Sequence, residues 1–338
     1  QRREIPQKKV AVYRMRYLSP LEEQSKMILY HHMDYSKTKD MDYRYRFEME
    51  VLKGAEIMDI WQRSFGAKFD HRLIEKYAGT KYDPRVCELL VRTVEAHDIF
   101  TKIRDNSYKA EYNESLEYIL LSDIEKEKYL KMLMYCTGLK EEQMVSETVA
   151  TIYVCRELGR KLRLSELDKN EVYYAAMLHD IGMLAIPSEL LNAPRTLSEE
   201  EKNLVKTHVD IMEKTLERKL SKEIIRIAAG HHERFDGSGY PRGLKASVMD
   251  EKEAILQISE QVVNSMEPKP YREAYTKEEI IDDLNNGIIS GKYEGIVADT
   301  FLKNYDEIMD KAKQKADMAL VTHQKLLRNY NQVYSSLS

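Results

Sequence analysis

Residues 198–244 read SEEEKNLVKTHVDIMEKTLERKLSKEIIRIAAGHHERFDGSGYPRGL, and this stretch decides the fold. Leu204, His208, Ile211 and Leu216 recur at helical spacing, and Ser198 with Glu201 three residues later has the form of a capping box. A second helix is predicted to open at Ser221 and to carry Ile224, Ile227 and Ala228 toward His231. Upstream, a third runs from about Glu166 to His179 with Val172, Ala175 and Ala176 turned inward. Arg234–Leu244 is the clearest loop: Asp236-Gly237 and Gly239 suit turns that need positive φ, and Pro241 stiffens the exit. No segment sustains the period-2 alternation of a strand. Thirteen glycines and eight prolines in 338 residues are too few for a many-turned β architecture. The expected fold class is all-α.

A chain of this length has room for about two domains. Its 43% hydrophobic content excludes wholesale disorder. With 53 basic and 57 acidic residues the net charge is −4, which argues against a nucleic-acid coat protein and against a DNA or RNA duplex as partner. No apolar run approaches the ~18 residues of a membrane span. The N-terminal QRREIPQKKVAV is basic but lacks the apolar stretch of a secretion signal, and a start at Gln1 is what a fragment would have. Cys87, Cys136 and Cys155 form no C-x-x-C pair, so a reducing, cytoplasmic setting is expected.

A weak internal repeat organises the chain. LSPLEEQSKMILYHHMDY closes on His31-His32 as LSKEIIRIAAGHHERF closes on His231-His232. GAEIMDIWQ from Gly54 parallels EAILQISEQ from Glu253, and GTKYDPRV from Gly79 parallels SGKYEGIV from Ser290. The order is the same both times. Residues 1–110 are therefore expected to be a decayed, truncated copy of a later domain at 132–315. A connecting helix is expected over 111–131 and a C-terminal helix over 316–338.

His179-Asp180, His208 and His231-His232 fall in one window at the ends or on the inward face of three successive helices. Imidazole and carboxylate together suit first-row divalent ions. Adjacent histidines at a helix end diverge by about 100° and can serve different ions. A lone inward histidine is commonly a satisfied core residue, but here one explanation must cover a His-Asp pair, a His-His pair and an inward His together.

HDIGMLAIP (His179–Pro187), KTHVDIM (Lys206–Met212) and HHERFDGSGYPRGL together resemble the HD-GYP family of HD-superfamily metallo-phosphohydrolases, over about Gln143 to Tyr305. The resemblance implies a helical HD-domain bundle and a cluster of two or three ions, iron or manganese first, with zinc, nickel or magnesium as further candidates. It implies hydrolysis of cyclic dinucleotides, chiefly cyclic di-GMP, to linear dinucleotide or GMP. The whole chain also resembles clostridial two-copy proteins with a degenerate HD-like region ahead of the HD-GYP domain. Carried over by motif, the metal ligands are Glu147, His179, Asp180, His208, His231, His232 and Glu260. Asp180, Glu147 and Tyr240 are expected to act in catalysis, and Gly239, Tyr240, Lys269 and Arg272 to hold substrate.

The departures are specific. Glu147 stands where the family has a histidine, Gln143 where some members have a glutamate ligand, Glu260 where the family has aspartate, and Met183 where it has lysine. Gln143 offers only a neutral amide oxygen, so two ions are expected rather than three. Met183 can neither donate a proton nor carry charge. In the N-terminal copy no HD pair precedes His31-His32 and Trp61 aligns with Glu260, so those histidines are expected to be structural remnants. Two functions stand side by side: a metal-dependent cyclic-dinucleotide phosphodiesterase, and a weak or inactive module that binds metal or nucleotide. Another HD-superfamily phosphohydrolase is a third. A homodimer is among the expected partners.

Overall fold

The computed structural model describes residues 21–117, 120–138, 140–269 and 272–335. The described residues are helices, turns and three isolated β-bridges, with no strand among them, as the sequence led us to expect. None of these helices is long and apolar enough to cross a membrane. The chain divides into two compact units, residues 1–129 and 130–338.

The first unit contains α1 (Glu22–Tyr30), α2 (Arg46–Phe65), α3 (Pro84–Ala96), α4 (Ile99–Asp105) and α5 (Tyr108–Glu117), followed by α6 (Asp123–Thr137), in which the division falls. Its core is small: Met58, Ile74, Tyr82, Cys87 and Val91, rimmed by Trp61, Phe69 and Tyr77. The single connecting helix expected over 111–131 is corrected, because α5 ends at Glu117 and α6 opens only at Asp123. Ser122 starts α6 by exchanging hydrogen bonds with Glu125, a polar start that an uninterrupted helix would not need.

The second unit is built from α7 (Gln143–Lys161), α8 (Glu166–Leu178), α9 (Glu199–Lys206), α10 (His208–Leu216), α11 (Lys222–Ala229), α12 (Glu251–Met266), α13 (Lys277–Ile289), α14 (Gly295–Leu302) and α15 (Tyr305–Ser335). Helix α12 is buried on most of its surface, with Ala254, Ile255, Leu256, Ile258, Val262 and Val263 inside together with Gln257 and Ser259, the placement of a central helix. Val154, Cys155 and Leu158 of α7 and Val172, Ala175 and Ala176 of α8 join it in one core. The capping box at Ser198 and Glu201 is present. Two expectations change. The 198–216 stretch is two helices, broken at Thr207, so Leu204 faces solvent while His208 turns inward. The boundary expected at 315/316 lies inside one helix, α15, which packs on α7 and buries Ile308, Met309, Ala312 and Ala316.

Candidate metal centre

Five of the candidate ligands sit where a helix starts or stops. His179 ends α8 and Asp180 heads the 3-10 turn Ile181–Ala185. A Cβ on Gly182 would lie 1.9 Å from the His208 carbonyl oxygen. Only glycine allows that turn to lie against the start of α10, which brings Asp180 to His208. His231-His232 follow Gly230, the C-cap of α11, and Glu260 projects from α12.

The geometry is convergent. Asp180 Oδ2 lies 3.2 Å from His179 Nε2, and Oδ1 lies 3.4 Å from His208 Nε2 and 3.8 Å from His231 Nε2. His179, His208 and His231 each donate Nδ1–H to the carbonyl three residues earlier, on Ala176, Val205 and Ala228, at 2.9, 2.8 and 2.6 Å. On His208 and His231, which burial keeps neutral, that choice leaves Nε2 as a bare lone pair. His208 Nε2 and His231 Nε2 then face each other at 3.2 Å, and neither can donate to the other. Two opposed lone pairs with a carboxylate beside them are the donor set of a cation site, and a backbone acceptor fixing the far nitrogen is how metal-binding histidines are oriented. His208, His231 and His232 bring ligand atoms within 4.8 Å of one another. Glu260 Oε2 stands 3.9 Å from His232 Nδ1. The residues fit a metal centre.

Electrostatics agree. Burial pushes the His179 imidazole down, but the charge and hydrogen bond of Asp180 outweigh it and raise the group to about 9. Burial opposes ionisation of Asp180, yet the surrounding histidines hold its carboxyl well below the usual range. Burial lowers His208, His231 and His232, which keeps them neutral and able to ligate. Burial and the Asp180 charge raise Glu260 to about 7.

The remaining candidates are placed unequally. Glu147 is ion-paired to Lys269, so a candidate ligand and a candidate phosphate-binding residue hold each other. Arg272 donates to the carbonyls of Asn264 and Ser265 near the end of α12 and to that of Glu273, and lies over the Tyr275 ring. Tyr240 stacks on His232 with ring centroids 4.5 Å apart, and burial raises its phenol. Gly237 has φ +84° as a turn requires. Gly239 is needed for a different reason: a Cβ there would lie 2.4 Å from Glu233 and Arg234 backbone atoms. Met183 is half-buried, one turn beyond Asp180.

Three residues were missed. Glu233 is fully buried, and its carboxylate accepts from Arg242 N–H at 2.7 Å and Leu244 N–H at 2.8 Å, pinning the Gly-Tyr-Pro loop to the histidine pair. Its place directly after His-His was the available signal. Arg234 lowers both His232 and Glu260 by its charge. Lys206 lies over the Tyr240 ring at 5.2 Å. Conversely, a second His-Asp dipeptide, His97-Asp98, follows α3 in an exposed position, which shows how little the dipeptide means alone.

The first unit contains a corner of the same construction. His31 Nδ1 bonds the Ile28 carbonyl at 2.8 Å, and the His31 and His32 rings lie 3.9 Å apart at 37°; those of His231 and His232 lie 4.0 Å apart at 43°. Tyr35 N–H donates to the Lys81 carbonyl at 3.0 Å, as Phe235 N–H does to that of Lys292. Lys53 donates to the Met33 carbonyl as Gln257 donates to that of Glu233. Asp83 caps α3 as Glu294 caps α14. Matching Lys53 with Gln257 puts Glu56, not Trp61, opposite Glu260. Glu56 Oε2 indeed lies 3.8 Å from His32 Nδ1, against 3.9 Å for Glu260 and His232. The sequence alignment slipped because apolar letters recur every three to four residues along a helix.

Residues 131–295 match the family model described as HD domain. Among relatives, a cyclic di-GMP phosphodiesterase of Thermotoga maritima is 31% identical over 192 residues, covering 56% of this chain and 52% of that protein. A 3'3'-cGAMP-specific phosphodiesterase 1 of Vibrio cholerae is 31% identical over 160 residues, 47% of this chain and 37% of its own length. The chain thus spans about half or less of these relatives. The crystal structure of a cyclic GMP-AMP-specific phosphodiesterase from V. cholerae superposes with a TM-score of 0.56 at 18% identity, over 88% of this chain and 71% of that one, which establishes the fold. The chain is thus similar to the HD-domain family over residues 131–295, and its H-H-E-x-x-D-G-x-G-Y-P string at His231–Pro241 resembles that of the HD-GYP type.

Proposed function

We propose that the second unit is a metal-dependent phosphodiesterase that hydrolyses a cyclic dinucleotide, cyclic di-GMP first, to linear dinucleotide or GMP. The observation that carries this reading is the pair of opposed Nε2 lone pairs on His208 and His231, with Asp180 against both, beneath a Gly-Tyr-Pro loop. The names of the relatives support the substrate class. Two divalent ions, iron or manganese, would be held by His179, Asp180, His208, His231, His232 and Glu260, with Asp180 between them and Glu147 completing the set. When bound, such ions acidify water and offset charge on phosphoryl oxygens.

The chain's own residues do the rest. His179 would have to give up its Nε2 proton in order to ligate. Glu147, now paired with Lys269, would be a further carboxylate for the ions, and Lys269 a cation for a substrate phosphate. Tyr240 and Lys206 present a ring and a charge at the rim, and Arg234 balances the carboxylate of Glu260. Met183 leaves the departing sugar oxygen without a donor, which favours slow turnover over none. We also infer that residues 1–110 are a decayed copy of the 132–315 domain, a reading supported by the matched contacts of the two histidine corners.

The test is metal content of protein purified without chelator, with cyclic di-GMP turnover measured on the same sample. About two ions per second unit with slow turnover is expected. A loaded protein that binds the dinucleotide tightly and never cleaves it would replace the enzyme with a binding module.

A further inference from the structure

We propose that His31, His32 and Glu56 form a second, mononuclear site for a first-row divalent cation such as Zn²⁺, in the first unit and separate from the centre described above. The ligand atoms of these three residues lie within 4.8 Å of one another. His31 is buried and its Nδ1 is engaged by the Ile28 carbonyl. That orients Nε2 at Glu56 Oε2, 3.1 Å away. An imidazole already donating through Nδ1 can meet a carboxylate through Nε2 only with a second proton or with a cation in its place. His32 turns Nδ1 toward the same carboxylate oxygen, so all three side chains converge on one point, as a shared cation would require.

The donor set is two imidazoles and one carboxylate, which suits zinc and its first-row neighbours rather than calcium or magnesium. The His32 side chain is 62% exposed, so one side of the site is open to exchange and to solvent ligands. The correspondence of Glu56 with Glu260 gives independent weight: the same three residue types recur with the same His-His ring geometry and the same imidazole-to-carboxylate spacing. The counterparts of His179, Asp180 and His208 would be needed for a bridged pair; three ligands make a site for one ion. An ion there would clamp the end of α1 to the middle of α2, and its role is to hold the first unit together.

The inference rests on this geometry and not on any turnover by the second unit. The full chain is stripped with chelator, dialysed against buffered Zn²⁺, and its bound zinc counted by elemental analysis, in the wild type and in an Asp180→Ala background that disables the second-unit centre. His32→Ala and Glu56→Gln should each remove one zinc per chain in both backgrounds, with unchanged far-ultraviolet circular dichroism. His32 is exposed, so its truncation leaves the fold intact. Equal zinc content in the parent and in both folded variants would overturn the site and leave His31 and Glu56 as an ordinary ion pair.

Discussion

The two histidine corners share a scaffold and differ in everything around it. Each has a helix closing on His-His, a first histidine tied to the carbonyl three residues back, and a glutamate reaching the second. Only the second has His179, Asp180 and His208 facing the pair. Only the second follows the pair with a carboxylate, Glu233, that holds a loop; Met33 occupies that place in the first, and the chain passes instead into the short helix Tyr35–Thr38. The difference separates two jobs. On the proposed reading, the pair with its glutamate would place ligands for one ion. A second ion and a substrate would call for the helix ends and loop that the first corner lacks among the described residues.

The largest effect should come from removing Asp180, the proposed bridge. Asp180→Ala strips the second corner of the carboxylate that all three buried histidines face, and should lower its metal affinity and turnover by on the order of 10²-fold or more. Elemental analysis with a turnover assay checks it; full stoichiometry in the variant would show that Asp180 bridges nothing.

Glu233→Met makes the second corner resemble the first. Two backbone N–H groups lose a buried charged acceptor, so about 2–4 kcal/mol of stability should go. The histidines are untouched, so metal should stay while KM rises. A variant that loses metal and substrate binding together would show that Glu233 supports the ligands and not the loop.

Met183→Lys restores a cation and proton donor beside the centre. General-acid assistance contributes roughly 10²–10⁴-fold where optimally placed, and a newly installed lysine should recover about tenfold in kcat with little change in KM. No rate change in a metal-loaded variant would leave leaving-group protonation without a role here.

Much of this was legible in the sequence, for identifiable reasons. The helices of the second unit announce themselves through capping residues and apolar spacing, and the five candidate ligands through residue type at helix ends. The break at Thr207 was not legible; it falls next to His208, which Gly182 approaches closely, a contact between segments 26 residues apart that local spacing does not encode. Glu233 was passed over because it lies among residues of more conspicuous chemistry, and its role depends on accepting from N–H groups nine and eleven residues later. The carboxylate of the first corner was misplaced at Trp61 because a helix aligned on apolar letters alone can slide, whereas the polar contact of Lys53 with Met33 fixes the register.

The smallest expected effect distinguishes the units by acid. Glu223 in the second unit is held down at about 2, first by the Arg226 hydrogen bond and then by Lys252. Its ordinary value is 4.5, so the fold prefers it ionised. Its contribution is therefore complete above pH 4.5 and is lost as the pH falls toward 2. Both partners are about one-third exposed, so solvent screening leaves roughly 0.5–1 kcal/mol. Glu50 in the first unit has the opposite sign: burial raises its carboxyl, so protonation on acidification favours the folded state. The chain's only tryptophan, Trp61, packs in the first unit against Phe69, Tyr77 and Tyr82, which makes its fluorescence a reporter of that unit alone. Between pH 5 and 2.5, Glu223→Gln should flatten the fall of the thermal transition followed by circular dichroism, and leave the transition followed by Trp61 fluorescence where it was. If the two probes shift together, the units do not unfold independently, and the acid response cannot be assigned to either corner's surroundings.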